Sequence, residues 1–483
     1  MYSQKIINRF RNPKFAGRIK NPDGVGEEGS MKCGDVMKIY LKVKNDKIND
    51  IKFETYGCLP PDEKIVLPNE WKAISKLSKS EIVLNENGKK TSIKKVYKRK
   101  YNGELIRFVP FVSPYNAFSV TPEHPILCIR REYLKKTRRT NSKNSWLRVD
   151  HSEIISTKPD YFEAYKLKVG DYLVFSYNKE IKDSKIYSKS LLRLIGYYLS
   201  EGNISAKQSA VAFSFNKKEK EYIREVKDLI KKIVGKEAKS RIRDNVSEVY
   251  VNSREFVRKI LKEAGKLAAK KELSDSIMVL PPAKQLEIIK TYFNGDGNKT
   301  TRRKGEPPTY RLATSSEKLA IQFQEILARN NIFASIRKQK QTESIINGRK
   351  INGLEYIFIV SYKKERDHKF VHLAGGYFLI PIKKIEVEKF KGSVYNLEVS
   401  SKQHSYLVKG FVVHNCVAAI ASSDAMCELA KGKTINEVKK IKYDDIIKKM
   451  GGDVPAIKIH CSVLGTMALK NALDDYNKKS MKN

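Results

Sequence analysis

The chain has 483 residues, of which 41% are hydrophobic and 31% charged, with a formal net charge of +41. That length accommodates about three domains with real apolar cores. The first thirty residues hold no signal-peptide-like apolar run, and no stretch reaches the ~20 apolar residues of a membrane helix. A membrane partner is thereby excluded, and a cytoplasmic protein with reduced thiols is expected. The basic excess favours a polyanion, nucleic acid above all. The bland alternative is a solvated, lysine-rich surface of a heat-adapted protein.

Residues 1–30 are polar and broken by Asn-Pro and Gly-rich stretches, which predicts a short helix followed by loops. Val36–Val43 and Ile48–Tyr56 alternate apolar and polar residues around Lys44-Asn45-Asp46-Lys47, so they form a hairpin with one covered face. A boundary then appears at Gly57-Cys58-Leu59-Pro60-Pro61, and a matching one at Val413-His414-Asn415-Cys416 closes a segment of 358 residues. Two thiols flanking an Asn permit acyl transfer between thiols, followed by attack of the Asn side chain on its own carbonyl. That is the chemistry of self-excision. Removal of residues 58–415 would join Gly57 to Cys416 and leave 125 residues of this chain. The segment holds 71 basic and 39 acidic residues, a net +32, so most of the charge lies within it.

Inside it, residues 58–177 and 376–415 carry short β-patterned runs at 81–84, 104–109, 172–175, 384–387, 395–399 and 406–408. A compact all-β module interrupted by something else fits them. Residues 188–375 are helical and self-similar. Leu194–Gly202 and Ile289–Gly297 are apolar helices with a small third residue, Gly196 or Thr291, and a terminal acid, Glu201 or Asp296, 95 residues apart. Each is followed by a strand run (210–215; 310–314) and an amphipathic helix (219–234; 317–329), a duplicated αββ-type unit. Small residues let the helices touch, so the two acids meet on a pseudo-twofold axis, where paired carboxylates can hold Mg²⁺ for phosphodiester hydrolysis. Arg241-Ile242-Arg243, Arg302-Arg303-Lys304 and Arg337–Lys340 would contact phosphates. The cluster Arg130-Arg131, Lys135-Lys136, Arg138-Arg139 reads equally as a DNA arm or a solvated loop.

After Cys416 the pattern is helical at 417–430, 435–450 and 461–476. Cys33, Cys416 and Cys461 fall at element edges, with Asp35 and His460 beside two of them. This is a soft, incomplete thiolate site suited to iron–sulfur or zinc. Cys427, mid-helix, reads as an ordinary buried cysteine. Before excision the helix after Cys416 is expected to be detached from its strand.

Met31–Met37, Thr55-Tyr56-Gly57-Cys58, Ala418–Ser423 and Lys458–Ser462 resemble the NifU/IscU iron–sulfur cluster assembly scaffolds. The resemblance covers nearly all of the flanks. It implies that Cys33, Cys416 and Cys461 hold a transient [2Fe–2S] cluster, with Asp35 and His460 in or beside its ligand set. It also implies a cysteine desulfurase or other sulfur donor, recipient apo iron–sulfur proteins, and a chaperone docking at Val454–Lys458, where the family's second Pro is Ala456. Cys58-Leu59-Pro60-Pro61, Thr121–Pro125, Val394–Val399 and Val412–Cys416 resemble an intein of the Hedgehog/intein β-fold. That resemblance implies Cys58 as first nucleophile and Thr121 and His124 as activators of the Gly57–Cys58 amide. Cys416 would be the acyl acceptor, and Asn415 would cyclise with help from His414. Asn396 stands where inteins commonly carry an Asp, and His404 is a candidate assistant. The duplicated segment resembles the LAGLIDADG homing endonucleases. It implies double-stranded DNA as partner, Glu201 and Asp296 as Mg²⁺ ligands, and an assisting lysine, Lys270 or Lys271. The expected architecture is therefore multidomain. An α+β scaffold (1–57 and 416–483) is split by an all-β splicing domain (58–177 and 376–415), itself interrupted by an α+β endonuclease (188–375).

Overall fold

A computed structural model describes residues 4–11, 13–29, 36–54, 57–135, 149–301, 306–341, 344–346, 349–351, 355–364, 370–401, 404–414, 417–452 and 459–480. The chain termini build one unit. Strands Gly24–Gly29, Val36–Lys44 and Lys47–Glu54 form an antiparallel sheet in that order. The hairpin turns through Asn45 and Asp46, both in the left-handed region with φ 51° and 56°. Asn and Asp tolerate that conformation, so the turn closes without glycine. Met37, Ile39, Leu41, Ile51 and Phe53 point to one face and are buried against Ile420, Met426, Leu464, Leu469 and Leu473 of the C-terminal helices.

Three expectations change here. Gly24–Gly29 is a strand, not a loop. A Cβ on Gly26 would lie 2.1 Å from the Ala468 carbonyl oxygen, and one on Gly24 would lie 2.3 Å from that of Ala472. Helix Ile459–Ser480 therefore crosses directly over a strand that glycine keeps bare. The helix expected over 435–450 is two, Ile435–Lys439 and Tyr443–Met450. Thr434 and Glu437 form a capping box for the first, and Asp445 accepts from Lys442 N–H at 2.9 Å to start the second. Finally, helix Val417–Ala430 is not detached. Its Ile420 shares a core with Phe53 although the whole insert lies between them, and Arg9 ties helix to helix through Asp424 at 2.7 Å.

The β-rich part of the insert forms a 12-stranded sheet system. Its spine is the pair Lys90–Pro110 and Tyr377–Val399, antiparallel from Ile382↔Pro110 to Val399↔Ile93. Strand Phe411–His414 lies between Ser405–Val408 and Pro125–Ile129, with Val413 opposite Ile126. This register carries the end of the insert to the turn that holds Thr121 and His124. The sheet also takes in His372–Ala374, paired with Tyr377–Leu379, a little ahead of residue 376.

The inner segment contains two four-stranded antiparallel sheets with the same internal order. One runs 202–204, 210–216, 246–252, 239–243, and the other 297–300, 309–314, 356–362, 334–340. The repeat is thus larger than the expected αββ-type unit: after the expected amphipathic helix, each copy carries a second pair of strands. Helices Lys189–Glu201 and Pro282–Asp296 pack on each other between the sheets. Buried Arg329, at the end of helix Glu317–Arg329, donates to the carbonyls of Asn178 and Leu280 at 2.8 and 2.9 Å, fastening this segment to the chain that leads into it. No helix among the described residues is long and apolar enough to cross a membrane.

Candidate splice junction and paired-acid site

The Gly57–Cys58 peptide is held on both sides. Cys58 N–H donates to Thr121 Oγ1 at 3.0 Å, and Thr121 N–H returns a bond to the Cys58 carbonyl at 2.9 Å. The Gly57 carbonyl accepts from Asn396 Nδ2 at 2.7 Å. Leu59 and Tyr395 exchange backbone hydrogen bonds, both 2.8 Å, which align the first insert residues with the strand bearing Asn396. A Cβ on Gly57 would lie 2.3 Å from His124 Nδ1, so the imidazole rests against the peptide at a place only glycine leaves open. His124 is fully buried, and burial pushes its pKa down to about 3; the Gly57 backbone opposes this shift and His414 adds to it. The ring is neutral at physiological pH.

His414 is buried on the last strand of the insert, opposite Ser405. Its ring centroid is 5.0 Å from Tyr161, edge-on, and 6.3 Å from His404, which takes a left-handed turn with φ 50°. Tyr161 donates to Glu86. The Cys58, Thr121, His124, Asn396 and His414 side chains are thus drawn to one end of one sheet. Asn415 and Cys416 lie outside the described residues, as do Cys33 and Asp35. His460 and Cys461 fall in the first turn of helix Ile459–Ser480.

Sequence reasoning missed two groups here. Tyr161 sits in a short strand with no motif to mark it. Tyr406, whose hydroxyl donates to Asn396 Oδ1 at 2.9 Å, shows in the sequence only as a strand residue.

The second site lies where the paired helices cross and end. A Cβ on Gly196 would lie 2.0 Å from Thr291 Oγ1, and that hydroxyl donates to the Arg193 carbonyl at 2.9 Å across the interface. Close approach continues to the helix ends, where a Cβ on Gly295 would meet Glu201 Oε1 at 2.6 Å. Glu201 is pushed up to about 7, first by burial, then by the charges of Asp296 and Glu219, with Lys271 opposing. Asp296 is exposed as a residue, yet its carboxyl is raised by desolvation, again opposed by Lys271. Of the two lysines considered, it is Lys271 that belongs here. It is buried, pushed down to about 8 by desolvation, and donates to the carbonyls of Tyr198, Leu199 and Gly202 at 2.8, 3.0 and 2.8 Å.

The basic clusters divide. Arg241, Arg243, Arg337, Lys338 and Lys340 are exposed on sheet strands, Arg241 paired with Glu248 and Lys338 over the Tyr356 ring at 3.9 Å. Residues 302–304 lie outside the described residues. Arg130 is neither a DNA arm nor solvated. It is buried, pairs with Asp171 at 2.9 Å and covers Phe162. Cys128 and Cys427 are buried, and desolvation raises both thiols.

Comparison with known proteins gives the following. The model for the NifU-like N terminal domain matches residues 1–60 and 396–483, and that for a LAGLIDADG-like domain matches 188–265 and 283–366. Both domains are present in this chain. The iron–sulfur cluster assembly scaffold protein IscU 1 of Archaeoglobus fulgidus is 53% identical over 58 residues, 12% of this chain and 38% of that protein. An iron–sulfur cluster assembly SufBD family protein of Mycobacterium bovis is 31% identical over 81% of this chain and 46% of its own length. An ATP-dependent DNA helicase Hel308 of Thermococcus kodakarensis is 23% identical over 74% of this chain and 36% of its own. The chain thus spans less than half the length of each of these relatives. Among solved structures, mesophilic variants of the homing endonuclease I-DmoI match with a TM-score of 0.26 and 12% identity, over 37% of this chain and 86% of theirs.

Proposed function

We propose that this chain is a self-splicing precursor. Residues 58–415 excise themselves as an intein bearing a DNA endonuclease and join Gly57 to Cys416, producing a scaffold that assembles iron–sulfur clusters. The observation that carries the reading is the clamped Gly57–Cys58 peptide. Its nitrogen, its carbonyl oxygen and its glycine face each meet a different side chain, Thr121, Asn396 and His124. The matches lend support. One domain model fits the two ends of the chain and passes over residues 61–395. The flanks are 125 of the 483 residues, so a match covering 81% or 74% of the chain must run through much of the insert. Relatives with names as different as a SufBD protein and a helicase share it, as expected of a portable segment.

In the first step the Cys58 thiol loses its proton and its sulfur adds to the Gly57 carbonyl carbon. The C–N bond then breaks, and the amine of Cys58 takes up a proton. Thr121 orients the amide hydrogen, and neutral His124 lies against the peptide, placed to pass that proton. Cys416 next takes the acyl group, Asn415 cyclises beside His414, and a sulfur-to-nitrogen shift leaves the Gly57–Cys416 peptide.

For the endonuclease, Glu201 and Asp296 are the residues that would hold Mg²⁺. Hard carboxylate oxygens suit it, and two carboxyls raised by burial, Glu201 further by the charge of Asp296, gain from a shared cation. Such an ion would polarise a phosphodiester and its attacking water. Lys271 stands by as a partly desolvated amine fixed to three carbonyls. The cluster on the ligated scaffold is cargo, held in this reading by Cys33, Cys416 and Cys461 with Asp35 and His460.

The test is expression of the parent and of Asn415→Ala. Without a side-chain amide to cyclise, the variant should keep the insert attached to residues 416–483. Normal excision in that variant would refute the mechanism.

A further inference from the structure

Resting on the splicing reading above, we infer that Asn396 is the oxyanion donor of the first acyl transfer, a role its amide can fill and the carboxylate it replaces cannot. The orientation of the amide is fixed by its surroundings. Leu397 N–H, which can only donate, lies 2.7 Å from Asn396 Oδ1, and the Tyr406 hydroxyl lies 2.9 Å from the same atom. The other end of the group is therefore the NH₂, and it faces the Gly57 carbonyl oxygen at 2.7 Å. Asn396 is fully buried, as are Tyr406 and Cys58. A donor in a water-poor site is strongest where charge develops, and it needs no reorganisation when the reaction starts.

The step balances without any added reagent. Cys58 Sγ gives up its proton and forms the C–S bond. The carbonyl π pair moves onto the Gly57 oxygen, where Asn396 N–H meets it. That pair returns as the C–N bond breaks and the nitrogen takes a proton. Amide plus thiol become thioester plus amine. His124 lies on the glycine side of the peptide, and it is the Asn396 amide that meets the carbonyl oxygen head-on at 2.7 Å. An aspartate here would set two acceptor oxygens against a third.

The experiment uses the full chain carrying Asn415→Ala and Cys416→Ala, which isolates the first junction, and reads thioester by hydroxylamine cleavage after Gly57. Asn396→Asp should slow its formation by about 10²-fold at neutral pH, as for loss of one such donor. Relative to the parent at the same pH, it should recover as pH falls and the new carboxyl is protonated, because an O–H can then donate. Asn396→Ala should be slow at every pH, and Tyr406→Phe should be slowed several-fold. A parental thioester rate in Asn396→Asp, or no recovery in acid, would overturn the assignment. Fold integrity is read separately as release at Asn415 in a Cys58→Ala, Asn396→Asp chain. Loss of that release would make position 396 structural and would equally overturn the assignment. If the parent with Asn396 intact gives no thioester at all, it is the splicing reading that fails.

Discussion

Cys58 and Thr121 hold each other by two hydrogen bonds, Cys58 N–H to Thr121 Oγ1 at 3.0 Å and Thr121 N–H to the Cys58 carbonyl at 2.9 Å. A residue at the start of the insert is thereby pinned to a turn 63 positions away. The pin sets the direction of the amide hydrogen, and with it the nitrogen lone pair that would take a proton in the proposed cleavage.

Thr121→Val keeps the shape of that side chain and removes its oxygen. A buried N–H left without an acceptor costs about 1–3 kcal/mol. If that partner is needed as the bond breaks, cleavage after Gly57 should slow roughly tenfold for each 1.4 kcal/mol. Thiol-induced cleavage followed by gel or mass would measure it; an unchanged rate would leave Thr121 as a turn residue only.

Burial of His124 should make the β-rich domain around it acid-sensitive. The unfolded chain takes a proton near the ordinary histidine value of about 6.5, whereas the folded ring resists until about pH 3. Stability is therefore full above pH 6.5 and is lost as pH falls through that window, by up to about 1.4 kcal/mol per pH unit. Urea unfolding of a Cys58→Ala, Asn415→Ala chain at pH 7, 6 and 5 should show the decline. His124→Gln should flatten it, and an equal slope in the two would place the acid sensitivity elsewhere.

Gly196→Ala would place a methyl 2.0 Å from Thr291 Oγ1 and 2.5 Å from the Ile288 carbonyl oxygen. The paired helices must part, at a cost of about 1–3 kcal/mol for overpacking. Any DNA cleavage should fall with the displacement of Glu201 from Asp296, while excision of the insert continues, since the junction lies in another core. Loss of splicing in this variant would mean the two sites are coupled.

Asp296→Asn removes one carboxylate without changing volume. Mg²⁺-dependent cutting of a DNA duplex spanning the uninterrupted coding junction should be abolished and binding retained. Binding of both proteins should weaken steeply with salt, because exposed Arg and Lys displace condensed counterions. A variant that cuts like the parent would remove Asp296 from the site.

The grouping of candidate residues was legible because they lie in contiguous motifs. Gly57-Cys58, Thr121–His124 and Val413–His414 are short motifs, and the structure draws them to one sheet end. The repeat around Gly196 and Thr291 was legible because close helix packing demands small side chains. What stayed hidden depends on partners distant in sequence. Gly24–Gly29 looks like a loop until helix Ile459–Ser480 lies over it. Arg130 looks solvated until Asp171 and Phe162 close around it. Asn396 read as a departure, since nothing local shows that its amide meets Gly57. The detached helix was wrong for the same reason. Phe53 and Ile420 share a core although residues 58–415 lie between them, so the two ends of the chain pack with that segment in place.

The most direct test of the central claim is the intact mass of the full chain after expression under reducing conditions. Splicing predicts two species from these 483 residues, a ligated product of 125 and an excised segment of 358. Fragmentation of the smaller should read Thr-Tyr-Gly-Cys-Val-Ala across the new Gly57–Cys416 bond. A single unprocessed chain that persists on incubation, or fragments cut at Cys58 and Asn415 but never joined, would contradict it.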